Sequence, residues 1–243
     1  MNIYIIRHAE PDYARDSLTE KGWREAELLS RRLSKIPDAS YYTSPLGRAR
    51  ATASLTMQAV GKEVEVCPWL REFDTGYKTR PDFHPTGHGW DFLPEHWARE
   101  PMYYDPENWM KAPAYENSGI DAVYRSVVQQ FDLLIAKHGY ERQDHLYAAL
   151  HPNTENILLF CHFGIECVLL SHLFDCSPVV LWHHTVALPS SVTIVSTEER
   201  EPGKAIFRMS RFGDLSHLDA AGEVPSFSAR FCERHGDGTR EDY

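Results

Sequence analysis

The 243-residue sequence predicts a three-layer α/β/α sandwich, with helices on both faces of a mostly parallel mixed sheet. Short apolar runs at residues 3–6 and 157–161 suit strands that are buried on both faces of a parallel sheet. Segments with apolar residues at helical spacing separate these runs. Two late segments, at residues 191–197 and 205–212, flank the turn Glu201-Pro202-Gly203 and predict an antiparallel hairpin at one edge.

Strands and helices alternate in the first part of the chain. Either Ser17 or Thr19 is a suitable N-cap for the first helix, and Gly61 suits the C-terminal end of the second. The predicted elements are a strand at Asn2–Arg7, a helix after the cap candidates, a strand at Ala39–Thr43, a helix at residues 46–60 and a strand at residues 63–67.

The segment at residues 76–118 has a different character. It holds six prolines and three tryptophans and shows little periodicity. Long irregular segments in compact proteins are usually lids or linkers, and the tryptophans argue against a disordered linker. We therefore expect an ordered cap of loops and short helices, inserted into a single domain that spans residues 1–243.

Regular structure resumes after Gly119. Apolar residues recur at helical spacing up to Gly139, which suits a C-terminal cap. A strand at residues 157–161, a helix at residues 164–174, a short turn at Pro178 and the hairpin complete the prediction, with a short helix near Ala229 in the tail.

Charge and composition limit the classes of partner. The formal net charge of -10 disfavours binding to nucleic acid or to an anionic membrane. No apolar run reaches transmembrane length, and the first residues enter a strand rather than a signal peptide, so we expect a cytoplasmic protein. The five cysteines include no CxxC pair and are expected to be reduced thiols.

Charged and polar side chains follow several of the predicted strands. Arg7 and His8 end the first strand, and His162 ends the strand at residues 157–161. Ligand sites in open α/β sheets lie beyond the carboxyl ends of the strands. Arg48 and Glu72 follow two further strands, which gives the site two cations, two imidazoles and a carboxylate. Arginine binds phosphate oxygens bidentately and histidine can act as a nucleophile, so this set suits a phosphoryl group.

Five segments together resemble the motifs of one family. They are Arg7-His8-Ala9-Glu10, Leu18-Thr19-Glu20-Lys21-Gly22, the run Ser-Pro-Leu-Gly-Arg-Ala-Arg-Ala-Thr-Ala at residues 44–53, Leu70-Arg71-Glu72 with Gly76, and His162-Phe163-Gly164. In this order they resemble the histidine phosphatase superfamily, the phosphoglycerate mutase-like family. The resemblance covers roughly residues 1–75 and 155–175, and the long Ser-Pro-Leu segment makes it specific.

The resemblance implies a role for each of these side chains. His8 would accept the phosphoryl group, while Arg7, Arg48 and His162 would hold its oxygens and neutralise charge in the transition state. Glu72 would protonate the leaving oxygen and then activate water. Asp74, two residues further on, could perturb Glu72 or replace it.

Two positions depart from the family pattern. Ala9 stands where the signature has glycine, and Pro11-Asp12 follows where mutases resemble Ser-x-Trp-Asn, which weakens a mutase interpretation. The expected activity is hydrolysis of a small phosphomonoester through a phosphohistidine on His8, without cofactor or metal. The alternatives are phosphoglycerate mutase-type phosphoryl transfer, or a catalytically silent binding protein on the same fold.

Two further features remain open at this stage. His84 and His88 have a spacing that would suit a metal, although no helix is predicted there. His183 and His184 precede a strand and would be at the surface or facing the cap. The expected partner is a small phosphorylated substrate, and a homo-oligomer is left open.

Overall fold

The protein is organised around one large sheet. The structure is a computed structural model that describes residues 1–79 and 88–228. Its strands are β1 (Asn2–Arg7), β2 (Pro11–Asp12), β3 (Ser17–Leu18), β4 (Ala39–Thr43), β5 (Glu65–Val66), β6 (Tyr140–Gln143), β7 (Leu146–Ala149), β8 (Asn156–Cys161), β9 (Val192–Glu201) and β10 (Lys204–Asp214). Its helices are α1 (Glu20–Leu33), α2 (Gly47–Val60), α3 (Pro94–Trp97), α4 (Ile120–Lys137), α5 (Phe163–Phe174), α6 (Pro178–His184) and α7 (Ser216–Asp219).

The sheet has a parallel half and an antiparallel half. Its strand order is β5-β4-β8-β1-β9-β10-β7-β6, while β2 and β3 form a separate small hairpin. The strands from β5 to β1 pair in parallel, and the pairings from β1 to β6 are antiparallel. Within the described residues, six of the eight strands therefore run in the same direction, and the predicted fold class is confirmed.

Alternating side chains of the central strands separate two apolar layers. Ile3 and Ile5 of β1 face the layer that contains α4 and α5, whereas Ile6 faces the layer that contains α1 and α2. The same alternation holds in β8, where Leu159 and Leu158 face opposite layers. Successive strand residues point to opposite faces, and a strand buried on both sides is apolar throughout, which explains the unbroken apolar runs in the sequence.

The register of the central strands positions the site. Arg7 is paired with Cys161 across β1 and β8, and Thr43 is paired with Phe160 across β4 and β8. The residues that come next in the chain, His8, Ser44 and His162, therefore emerge side by side at one edge of the sheet.

Local signals account for most helix ends. Thr19, rather than Ser17, caps α1, because its hydroxyl accepts a hydrogen bond from the Gly22 N–H at 3.0 Å. Gly61 ends α2 with a φ of 65°, a left-handed conformation that glycine adopts without strain.

Several elements differ from the sequence predictions. The predicted strand at residues 63–67 is reduced to β5 at the sheet edge, and the turn at Pro178 is the start of α6. The hairpin of β6 and β7 and the short helix α7 were not predicted. The predicted helix near Ala229 lies outside the described residues. None of the described helices has the length and hydropathy needed to cross a membrane.

The described part of the predicted cap consists of short helical turns. These are α3 and three 3-10 turns at Pro101–Tyr104, Trp109–Lys111 and Pro113–Tyr115. Aromatic side chains join them to the core: Trp109 packs edge-on against Trp182 of α6, with ring centroids 5.7 Å apart. His183 of α6 faces this region, because its Nε2 accepts a hydrogen bond from the Phe92 N–H at 3.2 Å and its ring stacks on Trp97.

Candidate active site

Two buried histidines lie next to each other where β1 and β8 end. The ring centroids of His8 and His162 are 5.1 Å apart, and the two residues are only 2% and 0% exposed. The backbone of His8 is held on both sides, since its N–H donates to Cys161 O and its carbonyl accepts from the Ser190 N–H. The pairing predicted from the two strand ends is therefore present in the structure.

A hydrogen bond to the backbone defines which ring nitrogen of His8 carries a proton. Nδ1 lies 2.8 Å from the carbonyl oxygen of Ala9, which can only accept, so Nδ1 carries a proton. Burial, with the nearby positive charges of Arg7 and Arg48, places the pKa of His8 well below its ordinary value. The imidazole is thus neutral, and the lone pair on Nε2 is available to a phosphorus atom.

Arg7 is buried behind His8. Its guanidinium donates to the carbonyl oxygen of Ala187 and lies over the ring of Phe163, 5.8 Å from the centroid. Its backbone N–H donates to Ser191 O, so the segment at residues 187–191 holds both Arg7 and His8. Burial lowers the pKa of Arg7, but an arginine keeps its charge far above neutral pH.

Arg48, the second residue of α2, is oriented by Asp16 from the turn between β2 and β3. Asp16 Oδ1 accepts a hydrogen bond from Arg48 Nη1 at 2.9 Å, and its Oδ2 accepts one from the Gly47 N–H at 2.6 Å. Burial acts to raise the Asp16 pKa, but these hydrogen bonds outweigh it, so the pKa is lowered. Tyr13 lies over the guanidinium, 5.4 Å from Arg48 Cζ to the ring centroid. This one turn therefore caps α2 and fixes its arginine.

Glu72 comes from the loop that follows the 3-10 turn Pro68–Leu70. Its Oε1 accepts hydrogen bonds from the Phe73 N–H at 2.8 Å and from the Ile165 N–H at 3.1 Å. Burial is the largest influence on its pKa, and with the charge of Asp74 it raises the pKa above the ordinary glutamate value. Asp74 itself is exposed. A carboxyl with a raised pKa suits proton donation.

Unsatisfied donors identify the kind of ligand that the site suits. Among the described residues, the buried His162 Nδ1 and Arg48 Nε have no hydrogen-bond partner. Buried polar atoms without partners are uncommon, and at a binding site they indicate a ligand. Donors from histidine and arginine suit an acceptor-rich anion such as a phosphoryl group.

The structure adds three residues to the set predicted from the sequence. Asp16 and Ser44 contact Arg48 and His162, respectively. The third is Glu166 of α5, whose buried carboxyl accepts a hydrogen bond from the Thr193 hydroxyl and has a pKa raised to about 7 by burial. A glutamate inside the apolar run of α5 was a visible signal, and Ser44 begins the Ser-Pro-Leu segment, but no local pattern marked Asp16 or showed that Ser44 contacts His162.

The described residues include no group of three or more histidine, cysteine or acidic side chains that could hold a metal ion. His88 stacks on Trp90, with ring centroids 4.9 Å apart. The other half of the suggested metal pair, His84, lies outside the described residues.

Comparisons with known proteins show the family of the chain. The family model of the histidine phosphatase superfamily (branch 1) matches residues 3–205, so the chain belongs to that superfamily. A probable phosphoglycerate mutase GpmB of Cronobacter sakazakii is 33% identical over 89 residues, and the match spans 33% of this chain and 41% of that relative. An adenosylcobalamin/alpha-ribazole phosphatase of Salmonella typhimurium is 24% identical over 202 residues, or 76% of this chain and 86% of the relative.

Solved structures show the same fold. A phosphoserine phosphatase from Entamoeba histolytica superposes with a TM-score of 0.58 at 18% identity, covering 89% of this chain and 98% of its own. A mycobacterial glucosyl-3-phosphoglycerate phosphatase superposes with a TM-score of 0.56 at 19% identity, covering 87% and 98%. These likenesses support the fold class; the activity has to be argued from the side chains.

Proposed function

We propose that the chain is a metal-independent phosphatase that hydrolyses a small phosphomonoester through a phosphohistidine on His8. The observation that carries this proposal is the hydrogen bond from His8 Nδ1 to Ala9 O, which leaves Nε2 unprotonated beside the donors of Arg48 and His162. A neutral imidazole in a cationic, buried pocket suits attack on a phosphoryl dianion.

The proposed reaction has two steps. In the first, His8 Nε2 forms a bond to phosphorus, the ester P–O bond breaks, and the leaving oxygen takes the proton of Glu72. In the second, a water molecule gives a proton to the Glu72 carboxylate, and the oxygen of that water bonds to phosphorus. The P–N bond then breaks and releases inorganic phosphate and neutral His8. Arg7, Arg48 and His162 stabilise the phosphoryl oxygens in both steps.

The pKa directions support this division of labour. The first step needs a neutral His8 and a protonated Glu72, and burial favours the neutral form of both side chains. Asp74 is exposed and acts on Glu72 through its charge, which favours Glu72 as the acid.

The apolar side of the site favours the same acid. Trp90 lies beside Glu72: a Cβ atom added at Gly164 would come within 2.7 Å of Glu72 Oε1 and 2.8 Å of Trp90 Cζ3. We propose that Trp90 and the described part of the cap at residues 88–118 cover this side of the site and keep water from the Glu72 carboxyl.

Phosphate labelling of His8 tests the proposal directly. Brief incubation with a ³²P-labelled phosphomonoester in EDTA, followed by an alkaline quench, is expected to leave acid-labile label on His8, identified by peptide mapping. His8→Ala should carry none. Label that persists in His8→Ala, or labelling that is lost in EDTA and restored by zinc, would contradict the proposed nucleophile or the metal independence, respectively.

Phosphoglycerate mutase-type transfer is the second candidate, because several relatives are named probable phosphoglycerate mutases. Pro11-Asp12 stands where mutases resemble Ser-x-Trp-Asn, which favours hydrolysis. A mutase must also protect its phosphoenzyme from water. We therefore expect phosphate release to exceed the exchange between 3- and 2-phosphoglycerate in parallel assays. Exchange faster than release would favour the mutase, and a chain inactive in both assays and with other phosphomonoesters would be the silent binding protein.

A further inference from the structure

Ser44 is the first residue after β4 and is completely buried against His162. Its Oγ lies 2.7 Å from His162 Nε2, and the same Oγ accepts a hydrogen bond from the Leu46 N–H at 3.2 Å. On the other side of the imidazole, Nδ1 has no partner among the described residues. The ring of His162 is therefore held from one side only.

The hydroxyl proton of Ser44 determines which nitrogen of His162 is protonated. A serine hydroxyl has one proton and accepts through its lone pairs. Since Leu46 already donates to Oγ, the proton of Ser44 points to His162 Nε2, the other hydrogen-bonding group within reach among the described residues. Nε2 is then the acceptor, and the proton of the neutral ring is on Nδ1.

The opposite tautomer of His162 is unfavourable at both ring nitrogens. With the proton on Nε2, the buried Ser44 hydroxyl would lose its acceptor, which costs roughly 10-fold or more in the equilibrium between tautomers. The Nδ1 lone pair would then face the anion site, where it would repel a phosphoryl oxygen.

We propose that Ser44 is a positioning residue that holds His162 as the Nδ1–H tautomer, so that this N–H donates to an oxygen of the transferred phosphoryl group. The consequence for catalysis rests on the proposed phosphatase function, whereas the tautomer itself does not. His162 has to donate as a neutral ring, because burial and the neighbouring His8, Arg48 and Arg7 place its pKa well below the ordinary value. The hydrogen bond from Ser44 to Nε2 places the proton of the neutral ring on Nδ1, so His162 can donate to the phosphoryl group without being charged.

The tautomer can be observed directly by long-range ¹H–¹⁵N correlation spectra of the protein labelled with ¹⁵N-histidine. The signals of His162 are assigned by their loss in His162→Gln. We expect a protonated Nδ1 and an unprotonated Nε2 in the wild type near neutral pH. A protonated Nε2 in the wild type would overturn the proposal, whether or not any variant folds.

Variants of Ser44 connect the tautomer to the rate. Ser44→Ala should give a mixture of the two His162 tautomers and slow single-turnover phosphorylation by 4-nitrophenyl phosphate about 10- to 100-fold, somewhat less than the loss of a whole preorganised donor. Ser44→Thr keeps the hydroxyl and should restore both the spectrum and most of the rate. Thr43→Val removes the neighbouring buried hydroxyl, which donates to the Ser44 carbonyl at 3.2 Å, and is the matched control.

The outcomes separate the two proposals. Unchanged spectrum and rate in Ser44→Ala would contradict the role of Ser44. A confirmed tautomer in a protein that never labels His8 would contradict the phosphatase function and leave the structural role of Ser44 intact.

Discussion

At the scale of single residues, the site disfavours a second proton on His8 and favours a proton on Glu72. Both effects come from burial, which disfavours the charged form of either side chain. The carbonyl of Ala9 then decides which nitrogen of His8 is free, and two backbone N–H groups fix one oxygen of Glu72.

Glu72→Gln tests the general acid. The amide oxygen of glutamine can accept the same bonds from Phe73 and Ile165, so the change removes the proton with little change in shape. General acid catalysis contributes about 10²–10⁴-fold when the leaving group is poor. Single-turnover phosphorylation should therefore slow by that factor with an alkyl phosphate and by far less with 4-nitrophenyl phosphate.

The pH profile and a control variant complete this test. In the wild type, the alkyl phosphate rate should fall as the pH rises through the raised pKa of Glu72, and Glu72→Gln should lack that alkaline limb. Asp74→Asn, a change at an exposed carboxylate, is the control and should discriminate less between the leaving groups. If Asp74→Asn discriminates and Glu72→Gln does not, Asp74 is the acid.

The sequence predicted the five candidate site residues because they lie in motifs that follow predicted strands. It could not identify their partners. Ser44 and His162 are 118 positions apart, and Asp16 and Arg48 are 32 positions apart. Such pairs depend on strand order and register, which no local pattern contains.

At the scale of elements, α5 brings two functional features together. Its first turn follows His162 directly, and its Ile165 N–H holds Glu72. Gly164 lies between them, where the absence of a side chain leaves space for the carboxyl of Glu72 and the ring of Trp90. The start of this helix therefore joins the two sides of the site.

Gly164→Ala is expected to impair general acid catalysis by Glu72 more than it lowers the stability of the fold. The new Cβ would come within 2.7 Å of Glu72 Oε1, so the carboxyl and Trp90 must move. We expect a loss of about 10- to 100-fold with alkyl phosphates, a smaller loss with 4-nitrophenyl phosphate, and an overpacking cost of about 1–3 kcal/mol in urea unfolding. Equal losses with both substrates would show that the glycine serves His162 or the phosphoryl pocket instead.

The elements missed by the sequence analysis are short and lie towards the edges of the sheet or the chain. β6 reads Tyr-Glu-Arg-Gln, with one buried residue in four, so neither an apolar run nor a clear alternation marked it. β5 was predicted as a longer strand at residues 63–67 and has only two residues, both exposed, because it is the outermost strand on the other side. The central strands were predictable because burial on both faces requires continuous apolar sequence.

At the scale of the whole molecule, four ionisable groups that take no part in the proposed phosphoryl transfer act on stability in opposite directions. Burial lowers the pKa of His183 and His217 to about 4, and it raises the pKa of Glu25 and Glu166 to about 7. The histidines bind protons more readily in the unfolded chain, so their contribution to stability grows as the pH rises from about 4 to 6.5. The glutamates bind protons more readily in the folded chain, so their contribution to stability is lost as the pH rises from about 4.5 to 7.

These four groups nearly cancel between about pH 4.5 and 6.5. The remaining pH dependence comes from the pocket, where the buried His8 and His162 bind protons more readily in the unfolded chain and Glu72 binds one more readily in the folded chain. Because two histidines oppose one carboxyl, urea midpoints should fall as the pH is lowered below about 6.5. A midpoint that rises on acidification in this range would contradict the balance.

Glu25→Gln isolates one side of the balance. Glu25 is fully buried on α1, where its carboxyl accepts hydrogen bonds from the backbone N–H groups of Glu10 and Ser226. Burial is the main reason that its pKa rises to about 7.

At low pH the wild-type carboxyl is protonated and neutral, so glutamine differs from it only in hydrogen bonding. As the pH rises towards 7, the wild type loses about 3 kcal/mol that the variant keeps, because a shift of one pKa unit corresponds to about 1.4 kcal/mol. The free energy of unfolding of Glu25→Gln relative to the wild type should therefore increase by about that amount from pH 4.5 to 7 and then stay level. Glu20→Gln, at an exposed position of the same helix, is the control and should give a difference that stays flat over this range. A flat difference for Glu25→Gln as well would show that this carboxyl is ionised at little cost in the folded protein.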